Sequence, residues 1–235
     1  TCAGAGIAGA SMGRETACRC ATPRAVGRRD FLRALPLTAL AASCRPAPYN
    51  RSRFARADRS PVALLPASSY DADLVAVITR GLRMFNIPVA GRRILLKPNL
   101  VEFERGTAIN THPAVVHAAA VAFRAAGARE VIVGEGPGHR RDIEYLVTAS
   151  GMAEALADAG VRFADLNHDD VQTVTLGSRF TGAASICLPE ELLASDLVVS
   201  MPKLKTHHWA GMTAGMKNLF GIVPGAVYGW PKNVL

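Results

Sequence analysis

Lysine is scarce in this chain, with five lysines against 22 arginines, and its few occurrences mark where chemistry could sit. An ammonium is a compact charge that can lose its proton, whereas a guanidinium is a planar, permanent cation. A chain that uses Arg by default and keeps Lys at few positions sets those positions aside for ammonium or amine chemistry. They recur in short contexts: Lys97-Pro98-Asn99, Lys203-Leu204-Lys205-Thr206, Lys217-Asn218 and Lys232-Asn233. Lys203 and Lys205 are two apart, so in an extended segment they project to the same side. Two such ammoniums favour an anion between them, or they depress each other's pKa and favour a neutral amine.

Groups able to move a proton lie in similar segments. His112 precedes a helix in Asn110-Thr111-His112-Pro113, where Thr111 or His112 caps the helix and free backbone N–H groups can meet an anion. Glu135 stands in Gly134-Glu135-Gly136-Pro137-Gly138-His139. That loop matches neither the dinucleotide fingerprint nor the Walker loop, and its carboxylate suits a proton acceptor or metal ligand better than an anion cradle. His207 and His208 are adjacent, so at most one is expected to join His112, Glu135 or the Asn167-His168-Asp169-Asp170 turn around a metal. No His-x-x-x-His or Cys-x-x-Cys spacing supports such a site, which leaves a metal possible and its ligands unassigned. The expectation is a small carboxylate or phosphate bound by Lys97, Asn99, Lys203, Lys205, Thr206, Lys217 and Asn218. His112, His207 and Glu135 would serve as acid/base groups.

These segments need a scaffold, and the apolar pattern supplies one. Strands are expected at Val62–Leu65, Arg93–Lys97, Glu130–Gly134, Val161–Leu166, Val171–Leu176 and Leu197–Met201. Helices are expected at Asp71–Asn86, at Pro113–Ala126 with Pro in its first turn, at Arg141–Ala159 interrupted by Gly151, at Pro189–Ala194 and at Thr213–Phe220. Met212 and Met216 read as core packing on that last helix. Short apolar strands alternating with helices imply an α/β fold, a mostly parallel sheet with helices on both faces in a Rossmann-like three-layer arrangement. Ligands of such sheets bind beyond the carboxyl ends of the strands, which is where the Lys, His and Glu segments fall.

The charge is uneven. Residues 1–59 hold 11 basic and 3 acidic side chains, whereas residues 60–235 hold 16 of each, so the net +8 belongs to the leader. The folded part carries no bulk argument for nucleic acid, and only 6% of residues are aromatic. Arg28-Arg29-Asp30-Phe31-Leu32-Arg33, followed by an apolar stretch to Ser43 and by Cys44, resembles a twin-arginine export signal. The apolar stretch is about ten residues, half of what a spanning helix needs. Cleavage is expected at Ala39-Leu40-Ala41 or before Cys44, where lipidation would anchor the chain to a membrane. The division expected is 1–44 signal and extension, 45–60 tether, and 61–235 α/β domain, exported to the periplasm or cell envelope. Met12 is the expected start, and the domain is expected to run on past Leu235. Cys187 alone falls in the folded part, so the cysteines present support no iron–sulfur cluster.

With these segments in hand, the chain resembles the domain-of-unknown-function 362 family of bacteria and archaea. The resemblance rests on Ile94-Leu95-Leu96-Lys97-Pro98-Asn99-Leu100-Val101, Thr111-His112-Pro113, Val131-Ile132-Val133-Gly134-Glu135-Gly136-Pro137, Pro202-Lys203-Leu204-Lys205-Thr206-His207 and Met216-Lys217-Asn218-Leu219-Phe220-Gly221. It implies an α/β domain of unassigned biochemistry. Some relatives carry ferredoxin-type segments, so an alternative expectation is a non-catalytic metal- or cofactor-binding, redox-accessory protein with iron–sulfur partners.

Overall fold

The structure is a computed structural model that describes residues 58–138, 141–176, 183–208 and 210–229. The leader, most of the tether, His139, Trp209 and Lys232 lie outside the described residues. In chain order, α1 (Leu74–Met84), β1 (Arg93–Pro98), α2 (Pro113–Ala125) and β2 (Glu130–Glu135) come first. Two helices follow, α3 (Ile143–Ala149) and α4 (Met152–Ala159), then β3 (Arg162–Asp165) and the pair β4 (Val171–Thr175) and β5 (Ser185–Pro189). The chain continues through α5 (Glu190–Leu193), β6 (Leu197–Met201), β7 (Lys205–His207), β8 (Gly211–Thr213) and α6 (Gly215–Asn218). A 3-10 turn (Leu219–Ile222) and α7 (Gly225–Tyr228) complete it.

The main sheet has the order β3-β2-β1-β6 with every pair parallel. Alternation along its strands sends side chains to two cores. Ile94, Leu96, Val131 and Val133 pack with Val116, Ala120 and Phe123 of α2, Leu146 of α3 and Leu156 of α4. Leu95, Ile132, Ala164 and Leu166 face the other way, against Leu192 of α5 and Ile222 of the 3-10 turn. The fold is thus α/β in three layers, as the pattern implies. Each such aliphatic side chain, fully buried, contributes roughly 1.5–3 kcal/mol.

Local chemistry sets the helix limits. Asp73 caps α1 by accepting from the Ala76 N–H, so the helix starts three residues later than its period suggests. Asp142 caps α3 in the same way, and Gly151, at φ 75°, turns the chain between α3 and α4. Val62–Leu65 is not a strand: it is irregular, with Val62 and Leu64 exposed, and Pro61 and Pro66 flank it. Val171–Thr175 is a strand outside the main sheet, paired antiparallel with β5, which the periodicity does not reveal. The helix expected over Thr213–Phe220 is instead the end of β8, one α-turn and the 3-10 turn. Met212 and Met216 therefore share no helix, and both are exposed rather than in the core. Among the described residues, no helix is long and apolar enough to cross a membrane.

Candidate functional site

The strand order places β2 and β3 on one side of β1 and β6 on the other, so the sheet reverses direction of growth between β1 and β6. Such a switch point opens a crevice beyond the carboxyl ends of the strands. Lys97 is the last residue but one of β1, and Glu135 is the last residue of β2. Their side chains meet there, Nζ to Oε1 at 2.6 Å, with Lys97 1% and Glu135 2% exposed. Glu135 also accepts from the Gly136 N–H at 2.9 Å and the Leu100 N–H at 3.0 Å. The remaining ammonium protons of Lys97 face the Pro98 carbonyl at 3.1 Å and Asn218 Oδ1 at 3.4 Å.

Burial pushes the Lys97 pKa down and the Glu135 pKa up, and the attraction and hydrogen bond between them oppose both shifts. The 3-10 turn and α6 close over the pair. Asn218 Nδ2 donates to the Lys97 carbonyl at 3.0 Å and to Ser200 Oγ at 3.1 Å, tying α6 to β1 and β6. A methyl at Gly221 would strike Glu135 Oε1 and lie 2.7 Å from Lys97 Nζ, so only glycine lets the turn sit this close. Gly136 faces the same turn, where a methyl would lie 2.6 Å from the Gly221 carbonyl.

Around this buried pair stand the other expected residues. Thr111 Oγ1 accepts from the Asn99 N–H at 2.9 Å and donates to the Met201 carbonyl at 2.7 Å, bridging the ends of β1 and β6. The cap of α2 falls to His112, whose Nδ1 accepts from the Ala114 N–H at 3.2 Å. The His112 ring stacks on Tyr70 at 3.8 Å, and Lys203 Nζ donates to the Tyr70 hydroxyl at 3.0 Å. Burial and then Lys203 hold the His112 pKa down, against Asp71.

Lys205 is half-buried and donates to the Ile109 carbonyl at 2.6 Å. Burial, then Lys217, push its pKa down, while Glu102 and Glu135 oppose. Lys217 is half-buried, Asn218 is buried and Thr206 is exposed opposite Met212. His207 Nδ1 accepts from the Ala210 N–H at 3.1 Å, and slight burial, Lys217, His208 and Lys205 all lower its pKa. The His207 and His208 rings stack at 4.8 Å, against the expectation that adjacent histidines face apart. His208 has left the strand for a turn, where alternation no longer applies.

The structure thus brings Lys97, Glu135 and Asn218 into contact and sets Lys205, Lys217 and His207 within electrostatic reach of one another. Lys203 and His112 meet through Tyr70. Lys203 and Lys205 take different partners, since Lys203 precedes the strand that Lys205 begins. Asn99 uses its backbone, not its side chain, in every hydrogen bond it makes here. Sequence reasoning missed Tyr70, Ser200, Thr213 and Gly221. The motif Met216–Gly221 held a signal for the last, since an Asn and a Gly three apart can face one buried group. Among the described residues, no three His, Cys, Asp or Glu side chains converge as metal ligands. Asn167–Asp170 forms a polar turn, with His168 Nδ1 2.7 Å from Asp165 Oδ2.

A parallel sheet in three layers, with the Lys97–Glu135 pair buried at its switch point, defines an α/β protein. The family described as "Domain of unknown function (DUF362)" matches residues 94–233, and the chain belongs to that family. It is also similar to the thylakoid-associated protein sll1697 of Synechocystis sp., 33% identical over 180 residues. That match covers 72% of this chain and 52% of the relative, so the chain spans about half the length of the protein it resembles. No solved structure matches the chain.

Proposed function

We propose that the chain is an enzyme that binds a small carboxylate or phosphate at the switch-point crevice, through Lys203, Lys205 and Lys217. Lys205 is the observation that carries this reading. It is half-buried, its one hydrogen bond goes to a carbonyl, and Lys217 stands near it. Among the described residues neither lysine has a carboxylate within ion-pair distance, and the buried Glu135 is committed to Lys97. A partly desolvated cation beside another cation is relieved by an anion. Lys97 and Glu135 lie buried beneath the 3-10 turn and α6, and Asn218 ties that cover to β1 and β6. Both histidines use Nδ1 as an acceptor, so each neutral ring carries its proton on Nε2. His112 and His207 would therefore donate to charge developing on the substrate.

The test is calorimetry with inorganic phosphate and succinate. Wild type is expected to bind at least one of them, and Lys205→Met to bind it at least ~10-fold more weakly, the worth of one charge-assisted hydrogen bond. Lys203→Arg and Lys205→Arg are expected to bind more weakly than wild type. Equal binding by these variants would remove the special role of the ammonium, and absence of binding by wild type would end the reading.

We infer further that residues 1–44 are an extension and a twin-arginine-type export signal, that 45–60 is a tether, and that cleavage falls either at Ala39-Leu40-Ala41 or before Cys44, where lipidation would anchor the chain. Supporting this are the Arg28-Arg29 pair, the short apolar stretch and the small residues before Cys44. The relative is described as thylakoid-associated, which agrees with attachment of this chain to a membrane. Fractionation of the full chain should place it outside the cytoplasm, and Arg28→Lys with Arg29→Lys should hold it inside. An unchanged distribution refutes the signal.

A further inference from the structure

From Leu197 to Leu235 the sequence has four lysines, two histidines and no Asp, Glu or Arg. The same stretch stands large apolar side chains in solvent: Leu204 is 72% exposed, Met212 55%, Met216 90% and Phe220 42%. Local geometry explains why they point out. Successive side chains of a hairpin strand take opposite faces. Lys205 and Thr213 are paired and turn inward, Lys205 to the Ile109 carbonyl and Thr213 into the interior. Thr206 and Met212, the next pair, therefore take the outer face, and Leu204, one residue before Lys205, goes out with them. In α6, Asn218 is drawn in to the Lys97 carbonyl, which leaves Met216 outside. The 3-10 turn covers the Lys97–Glu135 pair through Gly221 and leaves Phe220 partly in solvent. Since α6 packs against both β8 and this turn, these side chains come from adjoining elements. Glu102, the nearest exposed carboxylate acting on Lys205, is bound by Arg141 at 2.7 Å.

We propose that the outer face of the β7–β8 hairpin, with α6 and the 3-10 turn, docks on an anionic lipid surface. Leu204, Met212, Met216 and Phe220 enter the boundary between headgroups and acyl chains, and Lys203 and Lys217, beside Leu204 and Met216 in sequence, meet lipid phosphates. Two features favour a bilayer over a partner of fixed shape. Flexible Leu and Met side chains that protrude this far suit a fluid apolar phase, which needs no matching pocket. Nucleic acid would call for stacking platforms, and Phe220 is the one aromatic among the four. The segment also holds no carboxylate to repel lipid phosphates. This surface goes beyond the small-anion reading and does not need it, since Lys205 is turned inward to Ile109.

The experiment is co-sedimentation of the full chain with vesicles of phosphatidylcholine alone and of phosphatidylcholine mixed with phosphatidylglycerol, with hydrogen exchange on the bound protein. The basic leader is common to every variant, so the surface is read by difference. Wild type should bind mixed vesicles at least ~10-fold better than neutral ones, each lysine near the surface contributing about fivefold. Amides of residues 204–220 should exchange more slowly on mixed vesicles, and those of β4 and β5 at an unchanged rate. The double variant Leu204→Ser, Met216→Ser alters two exposed positions, so it should melt as wild type does and bind mixed vesicles at least ~10-fold more weakly. Undiminished binding by this variant, or unchanged exchange at 204–220, would mean that the leader alone holds the membrane, and overturns the proposal. Equal binding to both vesicles overturns it because charge then plays no part, and sedimentation with neither overturns it in favour of an acidic protein partner. Calorimetry with inorganic phosphate keeps the two readings apart: the double variant should bind phosphate as wild type does. Absence of phosphate binding by wild type, with vesicle binding retained, ends the small-anion reading and leaves this one standing.

Discussion

At the scale of single residues, the Lys97–Glu135 pair is where this protein takes its largest electrostatic risk. Both groups are almost wholly buried, and removing ions from water costs several kcal/mol each before any attraction is counted. The cost is met by completeness: each carboxylate oxygen accepts from the backbone or the ammonium, and the ammonium has three acceptors. Taking one partner away should therefore hurt more than taking both. Glu135→Gln is expected to lose about 3–5 kcal/mol by leaving an unpaired buried ammonium, and Lys97→Met a similar amount. The double variant should lose clearly less than the sum. Urea unfolding of the four proteins measures this, and additive losses would show that the two groups do not act as a pair.

At the scale of elements, α2 depends on a cap that titrates. His112 closes the helix with its Nδ1 lone pair, and protonation would take that acceptor away from the Ala114 N–H. Its folded pKa lies below the ordinary 6.5. The unfolded chain then takes up the proton first, so this contribution is full above the ordinary value and lost as pH falls through the lowered one. His112→Asn keeps an acceptor that does not titrate. Melting temperatures at neutral and mildly acidic pH should fall less for the variant than for wild type, by the equivalent of about 1 kcal/mol for an N-cap. Equal falls would mean that the cap is not what acid removes. Elements also differ in how readable they were. The runs Ile94–Leu96 and Val131–Val133 announce β1 and β2 because both faces of each strand are buried. Strands of three residues such as β7 and β8 are too short for alternation to show, and Val62–Leu65 has the apolar content of a strand without a neighbour to pair with. The contact between Lys97 and Glu135 was not legible at all. It joins residues 38 apart, and only the parallel register of β1 and β2 brings the two strand ends together.

At the scale of the whole molecule, the scarcity of lysine becomes a division between the two ends of the sheet. Arginine works at the amino ends: Arg93 opens β1 and bonds Glu130 at 2.7 Å and Glu191 at 2.8 Å, and Arg162 opens β3 and bonds Glu191 at 2.7 Å. A planar fork suits such shared carboxylates. Lys97, Lys203, Lys205 and Lys217 gather at the carboxyl ends, where among the described residues only Lys97 has a carboxylate partner at ion-pair distance. The two ends should then respond in opposite ways to charge removal. Arg162 is half exposed, so Arg162→Gln is expected to lower stability by about 1 kcal/mol or less and to leave phosphate binding unchanged. Lys217→Gln removes a repulsion felt by Lys205, so its stability should equal or slightly exceed that of wild type. Its phosphate affinity should drop several-fold, and the drop should shrink as salt is added, because part of the attraction is screened. Unfolding curves and phosphate titrations of the two variants, run at low and high salt, decide it. A binding loss in Arg162→Gln equal to that in Lys217→Gln would show that the anion responds to net charge alone and that the carboxyl end holds no site.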